Sequence, residues 1–216
     1  YYDETGLRKA FIQMIGIISY GLGNVLAFSN IYKKLEIPHK IVSKPEDLES
    51  ISKLILPGVG SFDDAMRRFT ESGLKNNIDY LVQDREMPIL GICVGMQMMA
   101  DSSDEGNLKG LSWLKGKVKK FNSIKKNNTM PLPHMGWNDI SIKKETKLVN
   151  GLEKSKFYFL HSYYVEPNDP DFIISQTDYI KPFCSIINYK NIYGIQCHPE
   201  KSHQDGILLL KNFSEL

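Results

Sequence analysis

The stretch Met87-Pro88-Ile89-Leu90-Gly91-Ile92-Cys93-Val94-Gly95-Met96-Gln97-Met98-Met99 constrains this chain more than any other. It reads as a short buried strand, Ile89 to Ile92, that turns at Cys93 into an apolar helix reaching about Ala100. Gly91 and Gly95 stand two residues to either side of the cysteine. That is the spacing of a nucleophile elbow, a strained strand-to-helix turn that lifts one side chain above a sheet. Small flanking residues are needed because neighbouring backbone crowds the turn. The helix start also aims free N–H groups and a positive dipole end at the sulfur. A free thiol with a pKa near 8.5 is only roughly 3% thiolate at pH 7, so a nucleophile gains from such surroundings. A buried core cysteine is the competing reading, since free Cys is among the most buried residue types.

Upstream, strands and helices alternate. Met14 to Ser19 is a continuous apolar run, as expected of a strand covered on both faces. A helix follows to about Leu35, with apolar positions at Val25, Phe28, Ile31, Tyr32 and Leu35. The intervening Gly21-Leu22-Gly23-Asn24 lacks the third glycine of a dinucleotide fingerprint. His39 to Val42 and Lys53 to Leu56 read as the next strands. Helices are expected from about Asp63 to Phe69 and from about Leu74 to Glu86. This alternation predicts a doubly wound, mostly parallel sheet, whose ligands sit at the carboxyl ends of the strands. Cys93 falls there, and so does Pro57-Gly58-Val59-Gly60. The latter reads as the second half of an oxyanion hole, although a plain strand-to-helix turn would look the same from this stretch alone.

The second half changes character. Gly116 to Phe121, Asp139 to Ile142, Phe157 to Tyr164, Ile173 to Thr177, Ser185 to Tyr189 and Ile192 to Gln196 read as short strands, and Gln204 to Phe213 as a terminal amphipathic helix. We expect a β-rich continuation packed on the same sheet, with residues 14–216 as one domain. Two clusters stand out: Pro133-His134-Met135-Gly136-Trp137-Asn138 and Gln196-Cys197-His198-Pro199-Glu200-Lys201-Ser202. His198 and Glu200 are two apart, so an extended segment would project both to one side. A Cys–His–carboxylate set is then possible, with His198 as general base and Glu200 fixing its tautomer.

Composition excludes other classes. A net charge of +2 gives no case for nucleic acid or an anionic membrane as partner. The lysines of 115–126 read as a solvated face. Three widely spaced cysteines suggest neither a disulfide framework nor a zinc site, and fit a reducing compartment. No run has the length of a membrane span, and no signal peptide is visible. Residues 1–13 lack strand alternation and read as a leader or an expression remnant.

Gly91-Ile92-Cys93-Val94-Gly95-Met96-Gln97, Pro57-Gly58-Val59-Gly60 and His198-Pro199-Glu200-Lys201-Ser202 together resemble the class I (triad) glutamine amidotransferases. Pro133 to Asn138 and Phe159 to Tyr164 narrow the likeness to the branch whose glutaminase subunits serve histidine biosynthesis. The resemblance runs from about Met14 to Phe213. It implies a flavodoxin-like three-layer α/β fold, with a central mostly parallel sheet flanked by helices and a β-rich C-terminal half. It also implies that Cys93, His198 and Glu200 hydrolyse L-glutamine to glutamate and ammonia, with Val59, Gly60 and Val94 forming the oxyanion hole. Gly58, Gln97, Glu105, Tyr158, His161, Ser162 and Tyr163 match positions that hold the glutamine. Asn24, Trp137 and Lys201 match the partner-facing side. The implied partner is a cyclase (β/α) barrel subunit that uses the ammonia to make imidazole glycerol phosphate and an aminoimidazole carboxamide ribotide, in the cytoplasm, with no cofactor or metal on this chain. Relatives of the same subunit feeding a sugar amidotransferase in surface-polysaccharide pathways would look much the same. A catalytically silent docking subunit is a third reading. Cys197 departs from the family, since a bulky aromatic is usual beside the catalytic histidine, and looser packing is expected there.

Overall fold

The computed structural model describes residues 13–122, 124–125 and 128–216. The expected leader therefore lies outside the described residues, except for Gln13. Among the described residues, fifteen strands and five α-helices follow in chain order: β1 Ile15–Ile18, α1 Val25–Lys34, β2 His39–Val42, β3 Lys53–Gly58, α2 Phe62–Glu71, α3 Lys75–Gln83, β4 Ile89–Cys93 and α4 Val94–Met98. Then come β5 Ser102–Ser103, β6 Gly116–Lys120, β7 Ile124–Lys125, β8 Asn128–Thr129, β9 His134–Asp139 and β10 Ser141–Ile142. The chain closes with β11 Lys156–His161, β12 Tyr163–Pro167, β13 Ile173–Asp178, β14 Pro182–Tyr189, β15 Ile192–Ile195 and α5 His203–Ser214.

Eight strands form the central sheet in the order β10-β13-β14-β15-β4-β3-β1-β2. The five from β15 to β2 run parallel. β14, β13 and β10 continue the sheet antiparallel. Every residue of β1, β3 and β4 is buried, as expected where helices cover both faces. Asn24 starts α1 by accepting a hydrogen bond from the Ala27 N–H at 3.2 Å, which satisfies a donor that the helix itself cannot. Tyr32 of α1 reaches the Leu210 carbonyl of α5 at 3.2 Å and so ties these two helices together. The Tyr20 hydroxyl donates to the Pro57 carbonyl at 2.7 Å, which draws the turn after β1 against the end of β3.

Only part of the C-terminal half extends the central sheet. The stretch Phe157 to Tyr164, expected as one strand, breaks at Ser162: β11 pairs with β9, whereas β12 pairs with β6. The Phe121 N–H takes the Ser162 carbonyl at the break. Alternation shows a strand's period and is blind to a change of partner. The strand expected at Asp139 to Ile142 likewise starts earlier, at His134. Its last two residues form β10, which pairs with β13 on the edge of the large sheet. The two-residue strands β5, β7 and β8 are too short to leave a periodic signal.

β9 and β11 make a two-stranded ribbon with two unlike faces. His134 sits opposite His161, and Trp137 opposite Tyr158. The period of two turns His134 and His161 inward while Met135 and Trp137 stay exposed.

Candidate active site

Cys93 closes β4 with φ 54° and ψ −112°, a conformation L-residues rarely adopt. Its neighbours explain how it is held. A Cβ on Gly95 would lie 1.9 Å from the Leu56 carbonyl oxygen, and one on Gly91 would lie 2.6 Å from the Met99 methyl and 2.8 Å from the Gly95 oxygen. Any side chain at either place would push α4 off the sheet. The register Gly58↔Cys93 sets the ends of β3 and β4 side by side. Val94, as the first helical residue, has an N–H with no intrahelical partner, free for a developing oxyanion.

β15 lies on the other side of β4, and the chain leaving it carries His198 and Glu200. His198 Nδ1 and Glu200 Oε1 are 2.9 Å apart, with both side chains 4% exposed. The segment is not extended as expected. Residues Pro199–Lys201 form a 3-10 turn, and this turn folds the carboxylate back onto the imidazole. Burial disfavours the imidazolium, but the hydrogen bonds and charges of Cys93 and Glu200 outweigh it and lift His198 to about 10. His198 therefore carries its proton at neutral pH.

These groups open onto a cavity of about 310 Å³. Val59, Gly60, Val94, Gln97, Glu105, His161, Ser162, Tyr163 and Lys201 line it with Cys93 and His198, and Pro133 and Leu160 complete the wall. Ten positions were expected to meet at the glutamine site or the oxyanion hole, and eight of them line the cavity, Val59, Gly60, Val94, Gln97, Glu105, His161, Ser162 and Tyr163; Gly58 does not. Gly58 is buried where β3 meets α4, since a Cβ there would lie 2.3 Å from the Gly95 nitrogen. Tyr158 does not line the cavity either. It faces outward with Trp137 at 6.2 Å and Lys201 Nζ at 5.6 Å from its ring, and its carbonyl accepts from the His198 N–H at 2.8 Å. Lys201, expected to face a partner, belongs to both surfaces.

His161 lines the wall but has no free nitrogen. Its Nδ1 lies 2.8 Å from the Tyr163 carbonyl, which can only accept, so Nδ1 donates and Nε2 is left as an acceptor. His134 Nδ1, 3.1 Å away, must then donate to it, and His134 Nε2 accepts from Asn138 Nδ2 at 3.2 Å. One carbonyl thus fixes both tautomers. Burial lowers His161 to about 3 and His134 to about 4, so both stay neutral. His161 shapes the wall and does not offer a hydrogen bond to a ligand. Glu105 accepts from the Phe62 N–H at 2.7 Å with one oxygen.

Gln196 was not expected at the site. Its Nε2 lies 3.7 Å from the Cys93 sulfur and its Oε1 accepts from Gln97 Nε2 at 3.1 Å. The available signal was its place at the end of the strand read over Ile192 to Gln196, but which strand lay beside it was not legible. Cys197 is fully buried; burial, then the Glu200 charge, pushes its thiol well up.

The model of the family described as glutamine amidotransferase class-I matches residues 17–215. The chain belongs to the class-I glutamine amidotransferases. Among members of this family, imidazole glycerol phosphate synthase subunit HisH of Bdellovibrio bacteriovorus is 48% identical over 94% of this chain and 100% of its own length. The protein of the same name from Leptospira interrogans is 47% identical over the same shares. In solved structures the fold recurs beyond sequence likeness. The crystal structure of a glutamine amidotransferase superposes with a TM-score of 0.72 at 19% identity, covering 93% of this chain and 97% of that one. No helix among the described residues is long and apolar enough to cross a membrane.

Proposed function

We propose that this class-I glutamine amidotransferase is the glutaminase subunit of an imidazole glycerol phosphate synthase, acting in histidine biosynthesis in the cytoplasm. One observation carries the chemistry: Cys93, in a strained elbow, lines one cavity with His198, whose ring is held by the buried Glu200 carboxylate 2.9 Å away. The Cys93 thiolate attacks the side-chain amide carbon of L-glutamine. The Val94 N–H and the backbone at Val59 and Gly60 receive the charge that develops on oxygen. His198 carries the proton on its ring and gives it to the departing ammonia. Neutral His198 then takes a proton from the water that attacks the glutamyl thioester, and thiolate leaves. Glu200 holds the ring throughout. Glu105, Gln97, Ser162 and Tyr163 position the amino-acid end of the glutamine.

The ammonia passes to a cyclase (β/α) barrel subunit that forms imidazole glycerol phosphate and an aminoimidazole carboxamide ribotide. The face beside the cavity suits such a partner. Met135 is 62% exposed and Trp137 47%, large apolar side chains that a partner would cover. Trp137 stacks on His203 at 5.1 Å, and Tyr158 with Lys201 connects it to the cavity wall. Asn24 is exposed beside Leu26, which is 67% exposed. The relatives' shared name disfavours the sugar-pathway reading, and the complete triad disfavours a silent docking subunit.

The test is glutamate release from glutamine by this chain, alone and with a cyclase barrel partner plus its ribulosyl nucleotide. Strong stimulation by the liganded barrel is expected, and Cys93→Ala should abolish hydrolysis in the complex while leaving it assembled. Hydrolysis that survives in Cys93→Ala would refute the mechanism; absence of stimulation would refute the partner alone.

A further inference from the structure

We propose that Gln196 is a catalytic residue, whose side-chain amide donates a hydrogen bond to the Cys93 sulfur and stabilises the thiolate both before attack and when the thioester expels it. The inference rests on Cys93 being the nucleophile of the proposed glutaminase.

The orientation of the amide follows from its partners. The Tyr163 carbonyl can only accept, so the Gln97 atom 3.0 Å from it is nitrogen. That same nitrogen lies 3.1 Å from the Gln196 side chain, where its second hydrogen requires an oxygen. The other end of the Gln196 amide, 3.7 Å from Cys93 Sγ, is therefore the donor. Gln196 is fully buried, so this is no adaptable surface contact. Its backbone N–H donates to the Ser185 carbonyl at 2.9 Å, which fixes the strand end that bears it. The opposing backbone contact is weak: the Leu160 carbonyl, to which a Cys93 thiol could donate, is 4.0 Å away. The surroundings thus offer a donor to the anion and little to the thiol. A thioester sulfur is a poor acceptor, so the bond is lost on acylation and regained as thiolate departs. Electron density returning to sulfur as the C–S bond breaks meets a donor already in place.

Other groups also face the sulfur. His198, backed by Glu200, comes from the segment after β15, as does Cys197; Tyr20 comes from the turn after β1. Glu105, His161, Tyr163 and Lys201 line the cavity around it. A shift assigned to Gln196 must therefore appear with these left intact. Gln196→Met keeps the volume and removes the donor. The rate of Cys93 alkylation by iodoacetamide, followed against pH with Cys93→Ala as blank, should show its midpoint raised by about one pH unit. The plateau rate at high pH should not fall. Gln196→Glu keeps the acceptor for Gln97 but sets a carboxylate against the sulfur, and should raise the midpoint further. A merely structural role predicts neither the shift nor this order. An unmoved midpoint in folded Gln196→Met overturns the proposal. If that variant does not fold, the side-chain amide resonance of Gln196 in the wild-type chain decides. It should titrate with Cys93 and move on alkylation; a resonance indifferent to both overturns the proposal. Hydrolysis persisting in Cys93→Ala would instead remove the nucleophile reading, a separate failure.

Discussion

Two turns leave neighbouring parallel strands at the same level, and they are built in opposite ways. β3 runs out into Gly58-Val59-Gly60 and β4 into Cys93-Val94-Gly95, with Gly58 and Cys93, the last residue of each strand, in register. Each includes a residue at positive φ, Cys93 at 54° and Gly60 at 88°. Around Cys93 there is no space: a Cβ on Gly95 would meet a backbone oxygen at 1.9 Å. Around Gly60 there is nothing within 4 Å of a Cβ, and Val59 is 40% exposed. The turn at Cys93 is held by collision on both sides; in the other, Gly58 packs against α4 but Gly60 is uncrowded. A nucleophile needs one fixed position, and the tightly packed turn supplies it.

Substitutions should separate the two. The largest effect is expected for Gly95→Ala, which should lower the unfolding free energy by at least about 3 kcal/mol in denaturant titrations and abolish Cys93 alkylation at neutral pH. A stable, reactive Gly95→Ala would show that the elbow is not held by collision. Glu200→Gln leaves the elbow's packing alone and releases its imidazolium, and should cut kcat for glutamine roughly 100-fold. The sign of its pH dependence follows from His198, raised from 6.5 to about 10. The stability this proton confers is complete below pH 6.5 and disappears as pH rises through about 10. The stability gap between wild type and Glu200→Gln should therefore be widest on the acid side of pH 6.5 and narrow toward pH 10. The alkaline fall of activity should move to lower pH in the variant. A gap that widens with pH would reverse the assignment of charge. The smallest effect is expected for Gly60→Ala, about 1 kcal/mol from backbone strain alone. A loss as large as that of Gly95→Ala would erase the distinction between the turns.

Legibility in the sequence follows the same divide. The parallel half could be read because its signals are local: apolar runs at Met14 to Ser19 and Ile89 to Ile92, helical spacing from Val25, and glycines flanking Cys93. The triad was legible as residue types and order, and the family likeness supplied the roles. The split at Ser162 was not legible, because β11 and β12 carry one uninterrupted pattern and differ only in partner. Tyr158 fell on the wrong surface for a related reason: its neighbour Phe159 points inward, so the period of two points Tyr158 out, and the choice of partner strand decided what lies outside. Gln196 stood within a motif, yet its side chain gained meaning only when β15 settled beside β4.

The sequence by itself determined the spacing of the elbow, and the crowding at Gly91 comes from its own following helix, whereas Gly95 is crowded by Leu56 of β3, which only the fold brings there. The sequence also determined the chemical types available, a thiol, an imidazole and a carboxylate. Tertiary structure alone decided their protonation and their company. His198 is charged because Cys93 and Glu200 surround it in a buried place, while His161 and His134 are neutral because burial disfavours the imidazolium, and for His161 outweighs the Tyr163 carbonyl that would favour it. Burial and hydrogen-bond direction depend on partners far apart in the chain, and no local pattern encodes them.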